Sequence, residues 1–196
     1  MPPVGSLPVN VQTMSTLFAL LTVVAQLSLL AILVLAIGAR LSPGLARARD
    51  AVWEIIGDNG IWLAWIVALT ATFGSLYLSE IAHFDPCKLC WYQRIAMYPL
   101  AVVLLIAALR RDRDHWHYAV PVALIGAALS IYHYQLERFP HQTSLSCEAE
   151  SPCTVVWIWR FHYISIPMMA LSGFLLIIAL LLVARRAGFE AFDSRG

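Results

Sequence analysis

Residues 86–109 read PCKLCWYQRIAMYPLAVVLLIAAL. A Cys-x-x-Cys pair, Cys87 and Cys90, leads directly into an apolar run long enough to cross a membrane as a helix. Two thiols at this spacing can close a disulfide and reopen it. The stretch therefore predicts a redox pair at the mouth of a membrane helix, where electrons can pass between water and lipid.

The composition is that of an integral membrane protein. Of the 196 residues, 60% are hydrophobic and only 13% are charged, and the mean hydropathy is +0.73. A soluble domain usually has about a quarter of its residues charged. The net charge of +1 gives no indication of a nucleic-acid partner.

Five apolar runs are predicted to span the membrane. The first, Leu17–Ile37, is uncharged and is followed rather than preceded by arginines, which favours an uncleaved helix over a cleaved signal peptide. The other four runs are Ile61–Ser79, Cys90–Leu109, Tyr118–Leu136 and Ile164–Ala184. This pattern predicts an all-α integral membrane protein, a four-helix transmembrane bundle with an additional N-terminal transmembrane helix.

The segment Leu45–Ile56 has apolar residues at helical spacing, with Arg47, Asp50 and Glu54 on another face. It is predicted to be an amphipathic helix on the inner membrane surface, with a plain connecting loop as the alternative. The resulting division is an N-terminal span at 1–37, a cytoplasmic amphipathic connector at 38–59, the four-helix bundle at 60–184 and a cytoplasmic tail at 185–196.

The basic residues predict the orientation, because cytoplasmic segments carry an excess of Lys and Arg. With the N-terminus outside and the C-terminus in the cytoplasm, nine basic residues fall inside and four fall outside or at the outer margin. The inner set is Arg40, Arg47, Arg49, Arg110, Arg111, Arg113, Arg185, Arg186 and Arg195, and the outer set is Lys88, Arg94, Arg138 and Arg160. Both cysteine pairs then lie on the outer, oxidising side, where disulfides persist.

Arg94 is the most informative single charge in the chain. A cation within a membrane helix is costly and usually marks a partner or a pathway. It follows Cys90 by four residues and so lies one turn deeper on the same helix face. It is predicted to stabilise a thiolate at Cys90, close to the positive potential of the helix start, and a reduced, anionic acceptor. The alternative is that it extends toward the lipid headgroups.

The second cysteine pair, Cys147 and Cys153, lies in the loop between the fourth and fifth spans. The polar and turn-forming residues between the two cysteines predict an exposed, flexible hairpin. A structural disulfide is the alternative, but closing so short a loop stabilises a fold by only about 2–3 kcal/mol. An exposed exchange site is therefore the preferred interpretation.

The motif Pro-Cys-x-Leu-Cys-Trp-Tyr-Gln-Arg at a helix start resembles the DsbB-type disulfide bond formation protein family. The resemblance runs from Ile61 to Ala184 and includes Tyr132-His133-Tyr134 and a loop cysteine pair before the last span. The short spacing of that pair is similar to the Bacillus-type branch. The resemblance implies a bacterial cytoplasmic (inner) membrane protein that reoxidises a soluble extracytoplasmic thioredoxin-like (DsbA-type) thiol oxidase. The electrons would pass to a membrane quinone, ubiquinone or menaquinone.

The same resemblance implies roles for individual residues. Cys87 and Cys90 would form the quinone-facing pair, with Cys90 contacting the quinone and Arg94 beside it. Cys147 would form the mixed disulfide with the partner, and Cys153 would communicate with Cys87. His133 would lie near the quinone, although from the sequence it could equally form a hydrogen bond within the bundle.

Three alternatives remain open. A vitamin K epoxide reductase-like protein also couples thiols to a quinone-type ring, but its membrane-facing pair would be expected after the loop pair. A metal or haem could be bound by Cys and His, although no Cys-x-x-Cys-His motif occurs and the nearby cations disfavour a metal, so no metal site is predicted. The chain could also be a structural membrane subunit with two passive disulfides.

Overall fold

The computed structural model describes residues 9–112, 114–140, 142, 147 and 153–193, with the backbone alone described at 9, 58 and 188–193. All structural statements below concern these residues.

The described chain is all-helical and contains five long helices. They are α1 (Val9–Gly38), α2 (Pro43–Leu76), α3 (Lys88–Arg110), α4 (Trp116–Arg138) and α5 (Ile166–Asp193), with a π-helical turn at Tyr77–Ile81 that continues α2. Each helix contains a segment long and apolar enough to cross a membrane. The predicted fold class, a four-helix bundle with an additional N-terminal transmembrane helix, is confirmed.

The helices are apolar on their outer faces as well as in the core. Large side chains such as Leu27, Val102 and Ile125 are more than half exposed, which in a membrane means contact with lipid. Helices suit this environment because their backbone hydrogen bonds are satisfied within the segment. The bundle is therefore that of a multi-pass membrane protein.

The start of α2 differs from the expectation of a separate surface helix at Leu45–Ile56. The helix begins at Pro43, after the extended residue Ser42, and runs without a break into the second span. Gly57 and Gly60 explain this path, because a Cβ at Gly60 would lie 2.7 Å from the Cβ of Ala184. The connector is thus a helical continuation of the span that packs closely on α5.

A row of small residues lies on the buried face of α4, and Gly126 in this row contacts α5. Ala119, Ala123, Gly126 and Ala127 are buried on this face. Small residues allow membrane helices to approach closely, and this approach replaces the hydrophobic effect as the source of stability in lipid. The ring of Phe174 on α5 fills the space left by the missing side chain of Gly126, where any Cβ would overlap it.

Replacing Gly126 by Ala should destabilise the bundle, because the added Cβ would overlap the buried Phe174 ring and would force that ring out of its packed position. We expect the free energy of unfolding in detergent to fall by about 1–3 kcal/mol, the usual cost of overpacking a core. The matched control is Gly173→Ala on α5, where the added Cβ would meet only Met97 Cε at 3.8 Å. Equal stabilities of the two variants would contradict this account of the α4–α5 contact.

Candidate functional site

The Cys-x-x-Cys pair forms the N-terminal end of α3. Cys87 is the N-cap residue, and its Sγ accepts the backbone N–H of Cys90 at 3.4 Å. The two sulfur atoms are 2.9 Å apart, and both cysteines are free thiols. A disulfide requires about 2.05 Å, so the structure holds the pair as a dithiol that could close with a small movement.

His133 on α4 contacts the Cys87 thiol. Its Nε2 lies 3.5 Å from Cys87 Sγ, and its Nδ1 lies 3.2 Å from the side-chain amide nitrogen of Gln93. Because an amide N–H donates to Nδ1, the ring proton is on Nε2 and points at the sulfur. His133 therefore forms hydrogen bonds within the bundle, to Cys87 and to Gln93.

These contacts favour the thiolate form of Cys87. The hydrogen bond from the Cys90 thiol is the main cause that lowers the pKa of Cys87, and His133 lowers that pKa further, against the opposing effect of burial. The sequence had pointed to Cys90 as the thiol most affected by the helix start. The structure instead makes Cys87 the N-cap and gives it the stabilising contacts, because the N-cap side chain faces the free N–H groups of the first turn.

Arg94 is fixed by α2. Its Nε donates to Ser75 Oγ at 2.9 Å, and its Nη2 donates to the Ser75 carbonyl oxygen at 3.1 Å. The guanidinium also lies over the Trp91 ring, 5.2 Å from its centre. Arg94 thus contacts a neighbouring helix rather than serving only as a headgroup anchor.

A cavity of about 330 Å³ lies beside this pair, in the size range of small-molecule sites. Cys90 and Arg94 both line it, as do Gln93 and Ser75, whereas Cys87 does not. Most of the remaining wall is apolar. An apolar site that has a thiol and a guanidinium at one end suits a hydrophobic ligand with a polar, electron-accepting head.

The second pair is a disulfide between Cys147 and Cys153. Cys153 is only 2% exposed and packs with Cys87, Leu89 and Leu136 in one apolar cluster, against which Cys147 is partly buried. The expectation of an exposed pair is therefore wrong for Cys153, since apolar packing outweighs its position in a loop. Residues 148–152, which supported the expectation of a flexible hairpin, lie outside the described residues.

The segment after Cys153 folds back over the loop that precedes Cys87. Trp157 stacks on Phe84, with ring centres 5.0 Å apart, and both side chains line the cavity. The two cysteine-bearing loops are thus packed together at the same end of the bundle, which we call the cysteine end.

Two residues of the site were missed from the sequence. Gln93 belongs to the Cys-x-x-Cys-Trp-Tyr-Gln-Arg motif. A polar amide in an apolar span indicates a functional site, so the sequence contained a signal for this residue. Ser75 is one of many serines in the chain, and nothing in its local sequence marks it as the partner of Arg94.

The thiols and His133 also form the one group of described residues with the geometry of a metal site. The ligand atoms of Cys87, Cys90 and His133 all lie within 4.8 Å of one another. Two thiolates and an imidazole suit a soft divalent ion such as Zn²⁺, although three ligands leave a fourth position open.

Comparisons with known proteins give consistent similarities. The family described as "Disulfide bond formation protein DsbB" matches residues 58–184. The chain is 46% identical over 119 residues to "Disulfide bond formation protein C" of Bacillus subtilis (strain 168), covering 60% of this chain and 86% of the relative. It is 36% identical over 146 residues to "Probable disulfide formation protein" of Coxiella burnetii (strain CbuK_Q154), covering 74% and 97%. No solved structure matches.

Replacing His133 by Asn should raise the pKa of Cys87, because Asn has no atom at the position of Nε2. The test uses a Cys90→Ser background, in which Cys87 is the remaining free thiol. Only the thiolate is alkylated, so we expect the pH midpoint of alkylation by iodoacetamide to rise by about one unit.

The matched control for this experiment is His83→Asn. His83 is exposed in the loop before Cys87 and has a left-handed backbone (φ 54°), which Asn tolerates. This control should leave the midpoint unchanged. An unchanged midpoint in His133→Asn would show that the imidazole does not stabilise the thiolate.

Proposed function

The chain belongs to the DsbB family of disulfide bond formation proteins, and from this premise we propose that it is a quinone-dependent protein-disulfide oxidoreductase. The membership makes it a membrane thiol oxidase and removes the vitamin K epoxide reductase-like alternative. Its substrate would be a reduced soluble thioredoxin-like (DsbA-type) protein, and its electron acceptor would be a membrane quinone.

The observation that carries the proposal is the two-sided environment of the Cys87–Cys90 pair. Cys90 lines the cavity together with Arg94 and packs only against the edge of the apolar cluster, whereas Cys87 does not line the cavity and is, like Cys153, a buried member of that cluster. One thiol of the pair is thus on the acceptor side and the other is on the side of the second disulfide. This arrangement supports a relay with Cys87 and Cys90 in the middle.

The first step would be thiol–disulfide exchange with the partner. A partner thiolate attacks Cys147, which is less buried than Cys153, and the Cys147–Cys153 bond breaks to give a mixed disulfide. The second partner thiolate then attacks its own sulfur in that bond and releases Cys147. The partner leaves as a disulfide, having lost two electrons and two protons, and Cys147 and Cys153 become thiols.

The second step would move the two electrons to the inner pair. The Cys153 thiolate attacks the oxidised Cys87–Cys90 disulfide at Cys87 and releases Cys90. Cys147 then attacks Cys153, which re-forms the outer disulfide and leaves Cys87 and Cys90 reduced. The structure has this distribution, with a dithiol at the inner pair and a disulfide at the outer pair.

The last step would return the inner pair to a disulfide. A quinone supplies the chemistry for this by accepting two electrons and two protons. Cys90 is the thiol that lines the cavity, Arg94 would offer a positive charge to a developing anion, and His133 contacts the Cys87 sulfur. When the bond between the Cys87 and Cys90 sulfurs forms, the two electrons and two protons lost by the thiols would pass to the quinone. Ubiquinone and menaquinone both combine a polar ring with an apolar tail and so suit this cavity.

The proposed location is the bacterial cytoplasmic membrane, with the N-terminus outside and the C-terminus in the cytoplasm. The arginine distribution supports this orientation, since nine of thirteen basic residues belong to the segments that would lie inside. The cysteine end would then face the oxidising compartment and an extracytoplasmic partner.

Metal binding is the second candidate, favoured by the clustered ligand atoms of Cys87, Cys90 and His133. Metal analysis of the purified, reduced protein separates the two functions. A stoichiometric soft metal that is lost in Cys87→Ser and His133→Asn would favour the metal site, and quinone-dependent turnover by metal-free protein would favour the oxidase.

Replacing Arg94 by Gln should lower kcat/KM for the quinone in an assay of partner oxidation. A charge-assisted hydrogen bond contributes about 1.5–3 kcal/mol, which corresponds to a loss of roughly 10–100-fold. The matched control is Arg110→Gln, at the exposed far end of the same helix, and it should retain wild-type activity. Repeated turnover of the partner without any quinone would contradict the acceptor assignment.

Replacing Cys147 and Cys153 together by Ser should abolish oxidation of the partner but leave the inner pair competent, because no outer thiol then remains to attack the Cys87–Cys90 disulfide. Chemically reduced Cys87 and Cys90 in this variant should still be reoxidised by added quinone at the wild-type rate, as measured by thiol labelling. Full-rate oxidation of the partner by this variant would rule out the relay.

A further inference from the structure

The N-terminal helix α1 is attached to the bundle by specific polar contacts, although it lies outside the region that matches the family. Near its start, Arg160 Nη2 donates to Ser15 Oγ at 3.0 Å and to the Gln12 carbonyl oxygen at 3.3 Å. In its middle, Gln26 donates to Ser172 Oγ at 3.1 Å and accepts the Tyr163 hydroxyl at 2.8 Å. Polar contacts of this kind fix the rotation of a membrane helix, so α1 has a defined inward face.

That inward face forms a wall of the cavity. Phe18, Leu21, Thr22 and Ala25 all line the cavity and are spaced at three or four residues, the spacing of one helix face. Thr22 uses its hydroxyl to donate to the Phe18 carbonyl oxygen at 2.8 Å. With that hydroxyl bonded within the helix, the α1 wall is apolar.

The α1 wall lies over the groove between α2 and α5. Phe18 lies against α2, where its ring comes within 3.3 Å of the position that a Cβ on Gly74 would take, and Gln26 contacts Ser172 on α5. The cavity is bounded by α2 and α5 as well, through residues such as Val67 and Phe174. Without α1, this part of the cavity would open sideways to lipid.

The cavity has a polar end and an apolar end. Phe18 lies at the same depth in the bundle as Gly74 and its neighbour Ser75. Ser75 binds Arg94, which lies next to Cys90. Ala25 lies seven residues further along α1, which is about 10 Å deeper at 1.5 Å per residue. The wall at that depth includes Ile66, Val67 and Leu176. A polar ring would be held at the first level and an apolar tail at the second.

On the basis of the proposed function, we infer that α1 is the quinone-specificity element of this protein, with Phe18, Leu21, Thr22 and Ala25 contacting the first isoprenoid units of the quinone tail. The four-helix core holds the ring at Cys90 and Arg94. The α1 wall selects quinones by their tails and holds the ring in register with the Cys90 sulfur.

Photolabelling tests this inference directly. A benzoquinone that carries a photoreactive group on the first part of its tail is bound to the full-length protein in detergent, and the labelled peptides are identified by mass spectrometry. We expect labels in α1 between Phe18 and Ala25 and on the facing residues of α2 and α5. Labels on α2 and α5 without any on α1 would overturn the inference, whereas no specific label anywhere would count against the quinone assignment itself.

A matched pair of variants gives a second readout. Ala25→Phe fills the deep end of the cavity, and Ala31→Phe makes the same change on the same helix at an exposed position that does not line the cavity. For Ala25→Phe, we expect KM for a quinone with a decyl tail to rise about tenfold, the effect of excluding roughly two buried methylene groups. The KM for the same ring without a tail should stay within about twofold, and Ala31→Phe should match the wild type with both quinones.

The tail-less quinone also reports on folding. Ala25→Phe could turn over the tail-less ring at the wild-type rate and also keep an unchanged KM for the decyl quinone. That result would overturn the α1 inference but leave the proposed function intact. If Ala25→Phe loses activity with both quinones, Leu21→Trp replaces it, since Leu21 is 44% exposed and tolerates a larger side chain. An unchanged preference between the two quinones in Leu21→Trp would then overturn the inference.

Discussion

The N-cap of α3 is the constraint on which the site depends. The Cys87 sulfur accepts the Cys90 backbone N–H, and this contact fixes where the helix begins and places the two thiols at its first turn. Because α3 begins there, Cys90 faces the cavity and Arg94 lies one turn deeper on the same side. The small-residue face of α4 allows close packing with α5, and the same helix carries His133 to the back of the Cys87 sulfur.

Polar side chains in the spans and at their ends form hydrogen bonds with one another. Gln93 bonds His133, Arg94 bonds Ser75, Gln26 bonds both Tyr163 and Ser172, and Ser165 donates a short hydrogen bond to Glu137. An unpaired polar group in a membrane interior is costly, so each pair both satisfies its members and specifies which helix faces meet. The residues that position the redox pair are thus also residues that define the bundle.

The two cysteine pairs have different surroundings, and the difference suits a relay. Cys153 and Cys87 are both buried members of one apolar cluster, which brings the two pairs together inside the protein. On the other side of the inner pair, Cys90 meets a cavity with an apolar wall. A dithiol that lies between a protein disulfide and a lipid-soluble acceptor can connect the two without releasing electrons to solvent.

The sequence by itself determined the five spans, the start of α3 at the Cys-x-x-Cys motif and the family, because hydropathy, capping and motif spacing are local properties. It did not show that α2 is continuous from Pro43, that Cys153 is buried, or that Ser75 binds Arg94. These features depend on contacts between helices far apart in the chain, such as Gly60 against Ala184 and Phe18 against Gly74. Only the tertiary structure decided them, since a helix's own residues specify its length and polarity but not which neighbour each face will meet.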